Sequence, residues 1–175
     1  MVLDLFLICP LILYSLFGLR DGLVKKLVSI GAIVLALFLG QAFMRDAGEF
    51  MVQNMGTAKS DAPSMGFMAI FLFVTIVASV LYRLLSGNFK IGGIADRVLG
   101  VLLGFIQGAL LASSLLFFMA MQGSPSHATV RDSRLYKPLA NLAPQILDLG
   151  AEIGPEAAKH IDSLTRPEPE RAPKK

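Results

Sequence analysis

The sequence predicts an all-α, polytopic membrane protein with four transmembrane helices and a short, partly helical C-terminal tail. Composition is the first observation behind this. Hydrophobic residues make up 54% of the 175-residue chain and charged residues only 17%, whereas a soluble domain keeps roughly a quarter of its residues charged to face water. Distribution is the second. The mean hydropathy is +0.64, and the apolar residues fall into blocks at about 1–17, 27–44, 67–85 and 98–121, close to the length that crosses a bilayer as a helix. The third is the shortness of the polar punctuation between the blocks. The length alone would allow one soluble domain, but the clustering argues against it.

The first block opens on Met1-Val2-Leu3-Asp4, without the positive n-region of a signal peptide and with no A-x-A-type cleavage site after it. It is therefore expected to stay as an uncleaved helix ending at Gly18-Leu19-Arg20-Asp21-Gly22. The second block contains Ser29, Gly31 and Gly40 and is otherwise apolar all round, the mark of a helix surrounded by lipid or protein. A polar connection of about 45–66 follows, whose part from Gly48 to Met55 is compatible with an interfacial helix. The third block ends in Tyr82-Arg83, an interfacial anchor whose Arg can snorkel to head groups. The fourth block follows a glycine-containing linker of about 86–97.

Residues 1–122 thus form the expected transmembrane domain. Gly123-Ser124-Pro125-Ser126 breaks the pattern. Beyond it, Leu135, Leu139, Leu142, Ile146, Leu149 and Ile153 recur with helical spacing, interrupted by Pro138 and Pro144. The expectation for 123–163 is a polar tail with a short amphipathic helix, or two, lying on the membrane or across the helix ends. Residues 164–175, rich in Pro, Glu, Arg and Lys, read as disordered.

The net charge of +3 fits basic residues flanking spans and meeting anionic head groups. The longest basic runs are Lys25-Lys26 and Lys174-Lys175, which lack the contiguous, aromatic-interleaved face that nucleic acid needs. The lone Cys9 permits no intramolecular disulfide. Arg20, Lys25, Lys26, Lys90 and Arg97 fall on the two short loops, so the positive-inside rule puts those loops in the cytoplasm and both termini in the periplasm. Arg131, Arg134 and Lys137 in the tail argue the other way.

On the fourth helix, Gly100, Gly104 and Gly108 stand four apart and share one face, continued by Ala112. Such a stripe lets another helix backbone approach closely, either within the chain or from a second copy. Asp96 is placed to cap the N-terminus of that helix, and Arg20-Asp21 can pair across the short loops with Asp96-Arg97. Charges inside the blocks are limited to Asp4 and Arg83, near block ends, so the mid-membrane carboxylate of an ion-coupled transporter is missing. Gln107 reads as an interhelical hydrogen-bonding residue. His127 and His160, both in the tail, have no metal-ligand companions at usable spacing, and no hydrolase, P-loop or metalloprotease motif occurs. Catalytic residues, metals and cofactors are therefore expected to be none.

Three segments resemble the CvpA (colicin V production protein) family of bacterial inner-membrane proteins. They are Gly18-Leu19-Arg20-Asp21-Gly22-Leu23-Val24-Lys25, Ala95-Asp96-Arg97-Val98-Leu99-Gly100-Val101-Leu102-Leu103-Gly104, and Asp132-Ser133-Arg134-Leu135-Tyr136-Lys137-Pro138-Leu139-Ala140. Gly18, Arg20, Gly22, Asp96, Arg97 and Leu99 form the core of the shared motif. Asp21 departs from the glycine often expected at the second turn position. The resemblance implies a four-helix inner-membrane protein tied to bacteriocin production or export and to envelope homeostasis, and it supplies no catalytic residues. The expected role is a non-enzymatic scaffold or export accessory, with the lipid bilayer and a membrane or envelope protein, or a second copy, as partners. The alternative is a small oligomeric channel or transporter with Gln107, Ser113 and Ser114 lining its path.

Overall fold

The computed structural model describes residues 2–85, 93–125 and 127–151, which are helical with no strand among them. The elements are α1 (Val2–Met55), α2 (Ala62–Leu85), α3 (Ile94–Met121), α4 (His127–Arg131) and α5 (Tyr136–Ala140), followed by α6 over 142–151. Three helices, α1, α2 and α3, are long and apolar enough to cross a membrane.

The first two expected spans are the two arms of α1, and the turn expected over 18–26 is contracted to a break at Gly22. Helical geometry is interrupted within that segment at Gly22, whose φ of 73° and ψ of 176° separate two helical arms. A side chain is strained at that φ, so glycine concentrates the whole bend in one residue. The two arms run in opposite directions along α3. In the first arm Pro10, Tyr14 and Gly18 lie against Gly108, Gly104 and Gly100 in turn, an antiparallel order. In the second arm Leu23 meets Asp96, while Ile33 and Leu37 pack in one cluster with Leu110, a parallel order. Gly22 therefore folds α1 back on itself.

The antiparallel seam is a backbone contact. A Cβ added to Gly104 would overlap the Tyr14 carbonyl oxygen, and one on Gly100 would overlap that of Gly18. The partner of the glycine stripe is thus the first arm of the same chain. Ala112 continues the seam into a buried cluster with Leu3, Leu7, Leu11, Ala109, Leu116 and Leu139. A second close approach joins the other arm to α2, where a Cβ on Gly66 would overlap the Met44 carbonyl oxygen. The connection between these elements is shorter than expected, because α1 stays helical to Met55 and α2 begins at Ala62.

The tail packs into the bundle. Leu139 of α5 joins the cluster around Leu7, and Ala143 and Leu147 of α6 join Ile33, Leu37, Phe67 and Leu110. Over the periodic stretch from Leu135, where one or two helices were expected, the described tail holds α5 and α6, and α4 precedes them. Ile153, His160 and the terminus from 164 on lie outside the described residues.

Backbone contact makes the seam intolerant of volume. Gly104→Leu should lower stability by at least the ~1–3 kcal/mol typical of overpacking, read as a fall in thermal unfolding temperature in detergent. Gly31, around which an added Cβ meets nothing within 4 Å, should accept the same change within ~0.5 kcal/mol.

Candidate functional site at the interhelical turn

The segments that carry the motif core meet where α1 reverses beside the start of α3. Gly18 and Gly100 are in backbone contact, and Gly22 lies so close to Asp96 that a Cβ would stand 2.6 Å from its carboxylate. Asp96 Oδ1 accepts the Leu23 N–H at 2.8 Å. Asp96 therefore caps the second arm of α1, at the first free N–H after the bend. The expected cap of its own helix is not made: Gly93 occupies that N-cap position with no side-chain hydrogen bond. Asp96 sits one turn too far into α3 to cap it, but that position faces the fresh helix start at Leu23, where a carboxylate is favoured by unpaired N–H groups and the helix dipole. Arg20, Arg97 and Leu99 are exposed, and the two arginines make no ion pair among the described residues.

Asp21 does not pair across the turns. It pairs with Lys25 and, at 3.3 Å, with Lys26. Lys26 was expected at the head groups beside Lys25. Instead its side chain is 2% exposed, with Nζ donating to Gln107 Oε1 at 3.0 Å and lying 5.3 Å from the centre of the Tyr14 ring. A buried ammonium is held only where partners replace its water, and here a carboxylate, an amide oxygen and an aromatic face do so. The sequence pattern missed this group because a Lys at a block boundary reads equally as an anchor or as a side chain folded inward. The usable signal was Gln107, a polar residue on the glycine-bearing α3 in need of a partner.

Two further polar ties secure the other end of the bundle. Ser113 Oγ accepts the Ala143 N–H at 2.7 Å, capping the first turn of α6 from the middle of α3. Asp4 Oδ1 accepts from Ser133 Oγ at 2.6 Å and from the Leu135 N–H at 3.1 Å, while Ser133 Oγ accepts the Tyr136 N–H at 3.1 Å. Asp4 thus holds the tail segment that shares the family pattern. Ser114 donates to the Leu110 carbonyl of its own helix at 2.8 Å.

The Lys26–Gln107 contact should behave as a coupled pair. Gln107→Leu removes an acceptor from a buried cation, at a cost of about 1–3 kcal/mol. Combined with Lys26→Met, the loss should fall short of the sum of the single changes by about 1 kcal/mol or more, measured by thermal or denaturant unfolding. Strict additivity would show that the two groups do not interact.

Comparison with known proteins agrees with these segments. The family described as Colicin V production protein matches residues 3–144, a stretch that includes both turn motifs and the tail segment held by Asp4. A relative from Haemophilus influenzae, named Colicin V production protein homolog, is 29% identical over 117 residues, covering 65% of this chain and 71% of the relative. No solved structure matches the chain. The match over residues 3–144 establishes that the chain belongs to the colicin V production protein family.

Proposed function

We propose that the chain is a non-enzymatic scaffold or export accessory of the bacterial inner membrane, supporting bacteriocin production or export and the integrity of the envelope. In this reading each arm of α1 is one span, so that with α2 and α3 the chain crosses four times. The short-loop side faces the cytoplasm, with Arg20, Lys25, Lys90 and Arg97 supplying the positive charge, and the termini are periplasmic. The partner is a membrane or envelope protein, or a second copy.

The observation that carries the reading is where the buried polar groups are spent. Lys26 is tied to Asp21 and Gln107, Ser113 to Ala143, and Ser114 to its own helix. Lys26 and Ser113 thereby join segments of the chain to one another, while Ser114 is satisfied within α3. A conducting path needs such groups facing a water-filled lumen, ready to replace hydration shells, and Gln107, Ser113 and Ser114 were the residues assigned to it. The family description, which speaks of production of colicin V, supports an accessory role in the same direction.

The test is a deletion strain scored for entry of an excluded dye and for bacteriocin release, alongside the purified chain in liposomes. The proposal predicts a defect in at least one phenotype that wild type rescues and an Asp96→Ala/Arg97→Ala double variant does not. It also predicts a partner protein that co-purifies reproducibly and no solute flux in liposomes. Flux through the purified chain that is lost on substituting Gln107 would replace this reading with the channel.

A further inference from the structure

A cleft of about 390 Å³ opens beside the buried lysine, within the size range of small-molecule sites. Its walls are both arms of α1, the first through Tyr14, together with α2 and one edge of α3. Charged and polar residues concentrate toward one end of it, with Val28 and Val80 among them, while Thr75 stands with the apolar residues. Lys25, Ser29, Ser79 and Tyr82 line the part near the Gly22 turn, and Ile33, Phe71 and Leu111 line the part farther along the helices. The cleft therefore has a polar end nearer the helix termini and an apolar end at depth.

Three hydrogen-bond donors at the polar end are uncommitted. Gln107 is 7% exposed and lines the cleft. Lys26 can only donate, so its contact at 3.0 Å fixes the amide oxygen toward it and leaves the Nε2 amide, which has no partner among the described residues, for the cleft. Tyr14 also lines the cleft, and its hydroxyl makes no hydrogen bond among the described residues. Lys25 is 42% exposed and among the described residues pairs only with Asp21, leaving further N–H donors. By contrast, Ser29, Thr75 and Ser79 donate to their own helices.

The local charge selects the ligand's sign and size. Lys25 and Lys26 share one carboxylate, Asp21, which leaves one positive charge in excess. The other nearby carboxylate, Asp96, is held by the Leu23 N–H and does not line the cleft. Arg83, beside Tyr82, is exposed and outside the lining. One excess cation, three donors on lining residues and an apolar extension match a monoanionic head group carrying an acyl chain.

We propose that this cleft binds one acidic phospholipid of the surrounding membrane, its phosphodiester held by Lys25, Gln107 Nε2 and the Tyr14 hydroxyl and its acyl chain lying along Ile33, Phe71 and Leu111. The full chain reconstituted in nanodiscs tests this by native mass spectrometry, with phosphatidylglycerol against phosphatidylcholine as the probes. Wild type should retain one phosphatidylglycerol with at least ~10-fold preference over phosphatidylcholine, since one charge-assisted contact is worth about that much. Lys25→Gln and Tyr14→Phe, both mild changes, should each reduce that preference several-fold. Arg45→Gln, a basic residue outside the cleft, should leave it intact. Equal retention of the two lipids, or a preference unaffected by Lys25→Gln, overturns the proposal. Displacement of the lipid by free glycerol phosphate would also overturn it, because the cleft would then be a site for soluble anions.

Discussion

The structure depends on the reversal of α1 at Gly22 against the carboxylate of Asp96. A helix that turns back within one residue exposes unpaired N–H groups at the start of its second arm, in a setting where water is scarce. Asp96 supplies an acceptor to the first of them, from the next helix but one along the chain. The same contact leaves no room for a side chain at residue 22, whose positive φ already favours glycine. Bend, cap and glycine are one device, and each needs the other two.

Once α1 is folded, the remaining contacts follow from it. The first arm lies along α3 closely enough for Gly18, Gly100, Gly104 and Gly108 to meet backbone directly. Between helices in lipid, where the hydrophobic effect gives little net drive, such van der Waals contact is a main source of association. The second arm runs back along α3, carrying Lys26 inward to Gln107. Ser113 and Asp4 then fix the tail, through Ala143 on one side and Ser133 and Leu135 on the other. Polar side chains therefore join elements distant in sequence, and apolar ones fill the space between.

Much of this was legible in the sequence, and the exceptions have identifiable causes. The apolar blocks and the stripe of Gly100, Gly104 and Gly108 were readable because length and four-residue spacing are direct consequences of helix geometry. The shortness of the turn in α1 was not, because Arg20-Asp21-Gly22 reads as a loop by composition while the break is confined to one φ. Nor was the direction of the Asp96 cap: spacing within one helix cannot reveal that another helix begins beside it. Lys26 was read as a charge of the short loop, since the acceptor that draws it inward is contributed by Gln107, far along the chain. The tail periodicity was visible, but its docking rests on single polar contacts to Ser113 and Asp4 that no pattern within the tail encodes.

The most direct test of this account is the distance between spin labels at residues 5 and 43, both exposed in the structure, in a chain whose Cys9 is replaced by Ser. If α1 reverses at Gly22, the two sites stand near the same end of the bundle. Their backbones are then within about 20 Å of one another, from an axial offset of about one turn and at most about two interhelical spacings. If α1 ran on as one continuous helix, the same positions would be roughly 57 Å apart at the standard helical rise, and the capped reversal on which the account rests would be wrong.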